Sequence, residues 1–478
     1  MSYPCEVHVT ALPIERFTPI FGEEYMREAQ QIGELIRERL LGRVLWNVNS
    51  TAVGGGVAEM LQSLLAYTRG AGIDTRWMVI KGDPFFFAIT KRLHHALHGS
   101  QGDGSALGAR ERRLYDKTLA DNATELCALV KPRDVVILHD PQTAGLAPAL
   151  LRQGALVIWR CHIGHDAPGA EVERGWRFLE PYLEHVPAYV FSRDAYIPSF
   201  MDRSRATIIR PSIDAFSAKN QDLDDGTVEA ILLHTGLLDG PHATQASVAF
   251  TRADGSPARV VHRASIVRRG RAPRPDTPLV VQVSRWDPLK DPSGVMSGFS
   301  QLIEAGGGAD AELVLAGPEL GAVADDPEAP TVFDRLFTQW RLLAPAARER
   351  IHLVMLPMED VEENAAIVNA LQRHATLVAQ KSLHEGFGLT VTEAMWKARP
   401  VVASAVGGIR DQIEHGRSGW LLDDPTDLAQ FGSALDTLLS DPARARRLGE
   451  AAWERVRERF LGIRHLLEYA RLIERLDQ

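Results

Sequence analysis

The chain is poor in cysteine, and poorer in lysine than its arginine content would suggest. Its three cysteines, Cys5, Cys127 and Cys161, are far apart, odd in number and outside any zinc-ligand spacing. That excludes a disulfide scaffold and a Cys/His metal site, and it suits a reducing compartment. No uninterrupted apolar run approaches the roughly 18 residues of a membrane span. The opening stretch, MSYPCEVHVTALPIERF, has no basic segment followed by an apolar run, so a cytoplasmic location is the expectation. A GxSxG nucleophile turn and a GxxxxGKS/T phosphate loop are also missing. Lysine occurs 8 times among 53 basic residues, leaving 45 arginines. The bias reads as codon usage rather than function, yet it makes the position of each lysine informative. Net charge is −9, from 53 basic and 62 acidic residues. That balance excludes a nucleic-acid coat or a polybasic membrane binder, although a few local cations can still hold an anionic ligand.

With 478 residues, 45% hydrophobic and 24% charged, the chain has ordinary globular composition and a length that argues for two domains. Near-continuous apolar runs alternate with helical patterns. They lie at 44–49, 75–80, 134–139, 156–163, 189–192 and 206–210, and the series restarts at 279–285, 312–317, 351–356, 376–381, 400–404 and 419–422. Two such series predict two doubly wound α/β domains with parallel sheets covered on both faces. The expected boundary is near 211–217, and helical patterns at 442–459 and 464–477 close the chain. Residues 246–275 break the series. They carry seven arginines around the turn Asp254-Gly255-Ser256-Pro257 and predict a β-hairpin. A solvated basic hairpin is the plain reading; a subunit contact or a lid is the alternative.

Ligands of open α/β sheets bind beyond the carboxyl ends of the strands, and four such places carry chemistry. Gly54-Gly55-Gly56 follows the run 44–49 and lets a phosphate or sugar approach the backbone at a helix start. It fits a GxGxxG fingerprint only partly, because Glu59 stands where the third glycine belongs, which makes it a weak dinucleotide signal; a tight turn alone is the other reading. Arg285 and Lys290 lie five residues apart across a turn at Pro288, where two cations can neutralise a diphosphate. Surface salt bridges to Asp287 and Asp291 are the competing account. In HEGFGLTVTEAMWK, Glu385 precedes the turn Gly386-Phe387-Gly388, a helix starts near Leu389 or Thr390, and Glu393 lies in its first or second turn. Free amides there suit an anion and the carboxylates suit sugar hydroxyls; alternatively, Glu393 only complements the helix dipole. Finally, His139-Asp140 and His162 end strands of the first series, near His165-Asp166. A helical His-Asp metal phosphohydrolase does not fit residues on strand ends.

The segment HEGFGLTVTEAMWKARPVVASAVGGIRDQI, with SRWDPLKDP upstream, resembles the donor half of retaining glycosyltransferases of the GT-B fold, family 4. NSTAVGGGVAEML, HDPQTAGL, WRCHIGHD and RPSIDAFSAKN are similar to a narrower group, the trehalose glycosyltransferring synthases and the related retaining trehalose phosphorylases. The resemblance covers about 40–235 and 278–475; the segment 236–277 is longer than the linker expected there. It implies two Rossmann-like domains facing one cleft. Residues 1–215 would form the acceptor side and 216–459 the nucleotide-sugar side, with a final helix at about 460–478 packing back on the first. It also implies glucose transfer from a nucleoside-diphosphate glucose to glucose, giving α,α-trehalose with retained configuration. A phosphorylase using inorganic phosphate is the rival, and a non-catalytic sugar- or nucleotide-binding protein the third reading. By this resemblance Arg285 and Lys290 meet the diphosphate together with the amides near Leu389 and Thr390. Glu385 holds the transferred glucose, Glu393 the ribose, and Pro357-Met358 line the base. His162 touches the donor sugar, while Gly54, Gly55, Gly56, Asp140 and Gln142 are candidates for the acceptor and phosphate side. No cofactor or metal ligand is expected, with Mg²⁺ stimulatory at most. The expected partners are nucleoside-diphosphate glucose with glucose or trehalose, and a second copy of the chain is a candidate; nucleic acid and membrane are not.

Overall fold

Runs of buried, largely β-branched and aromatic residues form the strands, and a period of two sends their neighbours to opposite faces. The computed structural model describes residues 5–52, 55–167, 169–240, 248–321 and 328–477. The chain divides into two units, Met1–Ser212 with Gly462–Gln478, and Ile213–Leu461. The divisions fall at 212/213 and 461/462, where the sequence suggested 215/216 and 459/460.

The first unit holds β1 (Cys5–Val7), β2 (Leu45–Asn49), β3 (Thr75–Val79), β4 (Val135–His139), β5 (Leu156–Cys161), β6 (Ala188–Phe191) and β7 (Ala206–Ile208). Their order in the sheet is β1-β3-β2-β4-β5-β6-β7. All pairings are parallel except that of the edge strand β1 with β3. Every residue of β2 and of β4 is buried, as a sheet covered on both faces requires. Trp46, Val136 and Leu138 face one core with Phe86, Tyr115 and Trp176. Their neighbours Leu45, Val135 and Ile137 face the other, with Ile36 of the helix Glu23–Arg39 and Leu472 and Ile473 of the helix Gly462–Leu476. That last helix is therefore part of the first unit's core.

The second unit contains β8 (Ala249–Thr251), β9 (Pro257–Arg259), β10 (Ser265–Val267), β11 (Leu279–Val283), β12 (Glu312–Pro318), β13 (Ile351–Leu356), β14 (Leu377–Gln380), β15 (Val401–Ser404) and β16 (Trp420–Leu422). Its main sheet runs β10-β13-β12-β11-β14-β15-β16, parallel except for β10 on β13. The order reverses direction between β11 and β14, as it does between β2 and β4 in the first unit. These are the switch points where a crevice opens in doubly wound sheets.

The arginine-rich segment departs from the expectation in one way. Its described part forms the hairpin β8–β9, but β10 adds an antiparallel edge to the main sheet. The hairpin strands are mostly exposed, as a solvated basic hairpin requires, and ion pairs also tie the hairpin to a neighbouring helix. Arg252 pairs with Asp360 and, at 3.0 Å, with Glu362, and His262 meets Glu363 at 2.8 Å. Local basic charge is thus matched by the acidic start of the helix Val361–His374. Residues 246 and 247 of this segment lie outside the described residues.

Candidate active site

The second unit's switch point is built by the two segments that leave β11 and β14. After β11 the chain passes Arg285 and the buried Trp286, whose indole N–H donates to the Pro318 carbonyl at 2.8 Å. Asp287 then caps the single turn Pro288–Lys290 by accepting from the Leu289 amide at 2.8 Å. Asp291, in the left-handed conformation at φ 49°, caps the next helix through the Gly294 amide at 2.9 Å. The turn is fixed from behind by Gln282, which donates to the Lys290 carbonyl at 2.8 Å. From the side, the Leu383 amide donates to the Leu289 carbonyl at 2.8 Å. That last bond joins the two switch-point segments.

The side chains follow this framework. Arg285 donates to Asp287 at 3.1 Å, the short-range pairing available in the sequence. Lys290 reaches instead to Glu385, 95 residues away, with Nζ 2.5 Å from Oε2. Asp291, the other aspartate offered as a partner, pairs with Lys381, a side chain with no exposure at all. Ser382 donates to the same Glu385 oxygen at 3.3 Å, and Gln380 donates to Ser382 at 3.0 Å. Cation and carboxylate are therefore both anchored to strand ends.

The turn Gly386-Phe387-Gly388 is held by buried groups. Gln412 Nε2 donates to the Phe387 carbonyl at 2.5 Å while its oxygen accepts from Thr392 at 2.6 Å. Gly388 has φ 84°, and a Cβ there would lie 3.0 Å from Glu385 Cγ. The positive φ favours glycine, and a Cβ there would push the Glu385 side chain aside by a few tenths of an ångström. The helix Leu389–Trp396 starts directly after it with no side-chain cap, leaving its first amides for other acceptors.

Glu393 lies on that helix, 3% exposed, with Lys219 Nζ 3.7 Å from its Oε1. Its Oε2 is buried with no hydrogen-bond partner among the described residues. Lys397, one turn on, donates to the Glu393 carbonyl at 3.0 Å and to Asn220 Oδ1 at 3.1 Å. Burial pushes the Lys397 ammonium below the usual lysine range, with the nearby Glu393 charge opposing. Glu385 and Glu393 thus engage different cations. Pro357 and Met358 follow β13, and the Pro357 carbonyl already accepts from Asn364 Nδ2 at 2.9 Å.

In the first unit, one polar side chain from each of β2 and β4 and one just beyond β5 form a buried chain. Asn47 Oδ1 is 3.0 Å from His139 Nε2, and His139 Nδ1 is 3.0 Å from His162 Nε2. His162 Nδ1 then faces Arg160 Nε at 3.5 Å. A guanidinium only donates, so His162 Nδ1 must be bare and its Nε2–H must point at His139. His139 in turn carries its proton on Nε2, toward Asn47. Both rings are neutral: burial first, then the Arg160 charge, pushes His139 down to about 3 and His162 well below the ordinary value. Asp140 accepts from the His162 amide at 2.7 Å and sits at φ 65°, an unusual conformation for a non-glycine residue. Burial pushes its carboxyl up to about 7, against the pull of the His162 amide and Arg160.

His139, Asp140 and His162 are therefore brought together, but the His162 ring has both nitrogens engaged and is 8% exposed. Gln142 is near by in sequence, in the turn Asp140–Thr143, with a buried Oε1 that has no hydrogen-bond partner among the described residues. Gly55 and Gly56 open the helix Gly55–Gly70, whereas Gly54 lies outside the described residues. Sequence reasoning did not single out Lys219, Lys381, Lys397, Asn220 or Gln412. The signal was available in the lysine count: four of the eight lysines lie in the second unit, and all four sit around this site.

Two family models match the chain: "Trehalose synthase, N-terminal domain" over residues 47–198 and "Glycosyl transferases group 1" over residues 266–455. In fold it is similar to an α,α-trehalose-phosphate synthase (UDP-forming) from Burkholderia xenovorans, solved with glucose-6-phosphate. That likeness has TM-score 0.66 and 14% identity over 91% of this chain and 100% of the other. Fold and matched domain together define a glycosyltransferase of the GT-B class. A trehalose synthase from Pyrococcus horikoshii is 33% identical over 97% of this chain and 96% of its own length. The chain belongs to the trehalose synthase family. A trehalose phosphorylase from Pleurotus pulmonarius is a more distant relative, 26% identical over 84% of this chain and 53% of its own.

Proposed function

We propose that this glycosyltransferase moves glucose from a nucleoside-diphosphate glucose to glucose, reversibly, making α,α-trehalose with retained configuration. The observation that carries this reading is the Lys290–Glu385 pair at the switch point, 2.5 Å apart. A lysine suited to phosphate beside a carboxylate able to accept sugar hydroxyls supports this reading. In this reading Arg285 and Lys290 neutralise the departing diphosphate, with the amides around Gly388, Leu389 and Thr390 as further donors. Glu385 takes hydroxyls of the transferred glucose. The buried Oε2 of Glu393, which lacks a partner among the described residues, takes a ribose hydroxyl, and the backbone at Pro357-Met358 borders the base. On the first unit, Asp140, Gln142, His162 and the glycines 54–56 serve the sugar and acceptor side.

The chemistry needs no protein nucleophile. The bond from the anomeric carbon to the diphosphate oxygen breaks, and the acceptor oxygen forms its bond on the same face. The acceptor's proton passes to the departing phosphate oxygen. Such a site works by positioning and by stabilising charge that develops on phosphate. Retaining glycosidases instead set two carboxyl groups about 5–5.5 Å apart around the bond. The separate cation partners of Glu385 and Glu393 favour the transferase arrangement. Side-chain cations meet the diphosphate, so the reading requires no metal and leaves Mg²⁺ at most stimulatory.

The same anion site would also accept inorganic phosphate, and the phosphorylase relative makes that the second reading. Trehalose incubated with ADP or UDP is expected to release glucose and form nucleotide-glucose, whereas trehalose with phosphate alone is expected to stay intact. Glucose release with phosphate alone would assign the phosphorylase reaction instead.

A further inference from the structure

The reading of Glu393 as the ribose acceptor raises the question of what aims its carboxylate, and the segment 218–221 supplies the answer. Three of its four carbonyls are tied to helices of the second unit. Asn369 donates to the Ala218 carbonyl at 3.1 Å, Trp396 donates to that of Asn220 at 3.1 Å, and Arg373 donates to that of Gln221 at 2.8 Å. The Asn220 side chain is buried and also occupied on both ends. Its Nδ2 donates to the Asp214 carbonyl at 3.0 Å, and its Oδ1 accepts from Lys397 at 3.1 Å. Lys397 closes the connection by donating to the Glu393 carbonyl at 3.0 Å. Lys219 is thus carried on a backbone fixed on either side, over the helix that bears Glu393.

Its ammonium lies 3.7 Å from Glu393 Oε1, an ion-pair distance rather than a hydrogen bond. Side-chain exposure is 21% for Lys219 and 4% for Glu393, so the attraction acts largely out of water. One carboxylate oxygen is therefore turned toward a cation. The other, Oε2, is buried without a hydrogen-bond partner among the described residues, an arrangement costly to leave unfilled. An ionised carboxylate only accepts, so the group that completes it must donate, as a hydroxyl does.

We propose that Lys219 is a positioning residue for nucleotide recognition: it holds the Glu393 carboxylate so that Oε2 is presented to a ribose hydroxyl of the donor. This rests on the reading that Glu393 takes the ribose. Lys219 itself touches neither the anomeric carbon nor the diphosphate in this scheme, so its removal weakens selection for ribose rather than the transfer step.

The test is calorimetric binding of UDP and ADP and of their 2′-deoxy and 3′-deoxy counterparts to the full chain. Wild type, Lys219→Met, Lys219→Arg and Glu393→Gln are compared. Wild type is expected to bind the ribonucleotides about tenfold more tightly than the counterpart lacking the hydroxyl that Glu393 accepts. Lys219→Met is expected to lose most of that preference by weakening the ribonucleotide alone, while Lys219→Arg restores part of it. In steady state the same loss is expected in KM for nucleotide-glucose, with kcat changed little. If Lys219→Met keeps the preference, or weakens ribo- and deoxynucleotides equally, the inference is overturned. If wild type shows no preference, or Glu393→Gln leaves it unchanged, the ribose reading of Glu393 falls instead. Thermal melting of each variant separates a binding change from misfolding, and the Arg variant keeps the test valid if the Met variant is unstable.

Discussion

Lys381 and Asp291 show how much a single side chain can support without touching a substrate. Lys381 is fully buried, and Asp291, 17% exposed, caps the helix that follows Lys290. Removing one partner of such a pair leaves a charge without its counter-ion, typically at a cost of 3–5 kcal/mol. Lys381→Met is expected to destabilise the protein by about 3 kcal/mol, the lower end because Asp291 keeps its cap and some water. Adding Asp291→Asn should recover part of that loss, and urea midpoints of the single and double variants measure both. An unchanged midpoint in Lys381→Met would show that the pair contributes nothing. Neither this pair nor the Lys290–Glu385 contact was legible in the sequence. The aspartates flanking Lys290 are its neighbours along the chain, but its partner arrives from 95 residues away because β14 lies beside β11. Arg285 with Asp287 is the opposite case, a local pairing readable from spacing alone.

The turn and helix from Gly386 to Trp396 form the element on which the site depends most. The sequence showed where the helix begins because a glycine cluster after an apolar run stops a strand, and the helix starts at Leu389. It could not show that Gly388 both adopts a positive φ and lies against Glu385. Gly388→Ala combines backbone strain of about 1–2 kcal/mol with displacement of that carboxylate. The expected result is a modest fall in melting temperature and at least a tenfold fall in kcat/KM, measured on the same preparation. Strands were legible wherever burial on both faces made the run continuous, as in β2 and β4. The edge strands β1 and β10 were not, being three residues each, β1 largely exposed and β10 half-buried and followed by arginines. Only the sheet's topology gives such a segment a partner.

At the scale of the whole molecule, the first unit stores a pH dependence in its core. His139, His162 and His465 are all held neutral, by burial first and by the Arg160 charge second. Below about pH 6.5 each imidazole is protonated in the unfolded chain but not in the folded one, so stability is lost as pH falls. Asp140 acts in the opposite sense. Its folded value, about 7, lies above the unfolded one, so between these values stability is gained as pH falls. Three such imidazoles against one carboxyl leave a net uptake of protons by this cluster on unfolding, so its contribution to stability is expected to fall as pH drops below about 6.5. His465→Gln should make that pH dependence shallower, as read from urea unfolding followed from pH 7 downward. A slope unchanged by the substitution would mean that His465 is protonated in the folded protein.

Glucose transfer from a nucleotide to glucose at the Lys290–Glu385 site is the reaction proposed for this protein. Its most direct test incubates the protein with ADP-, UDP- or GDP-glucose and free glucose, and identifies the disaccharide by NMR. Lys290→Ala, whose folding is checked by melting, is run alongside. The expected product is α,α-trehalose from at least one donor, with no product from the Lys290 variant. Absence of trehalose with every donor, or near-wild-type turnover by Lys290→Ala, would contradict the account.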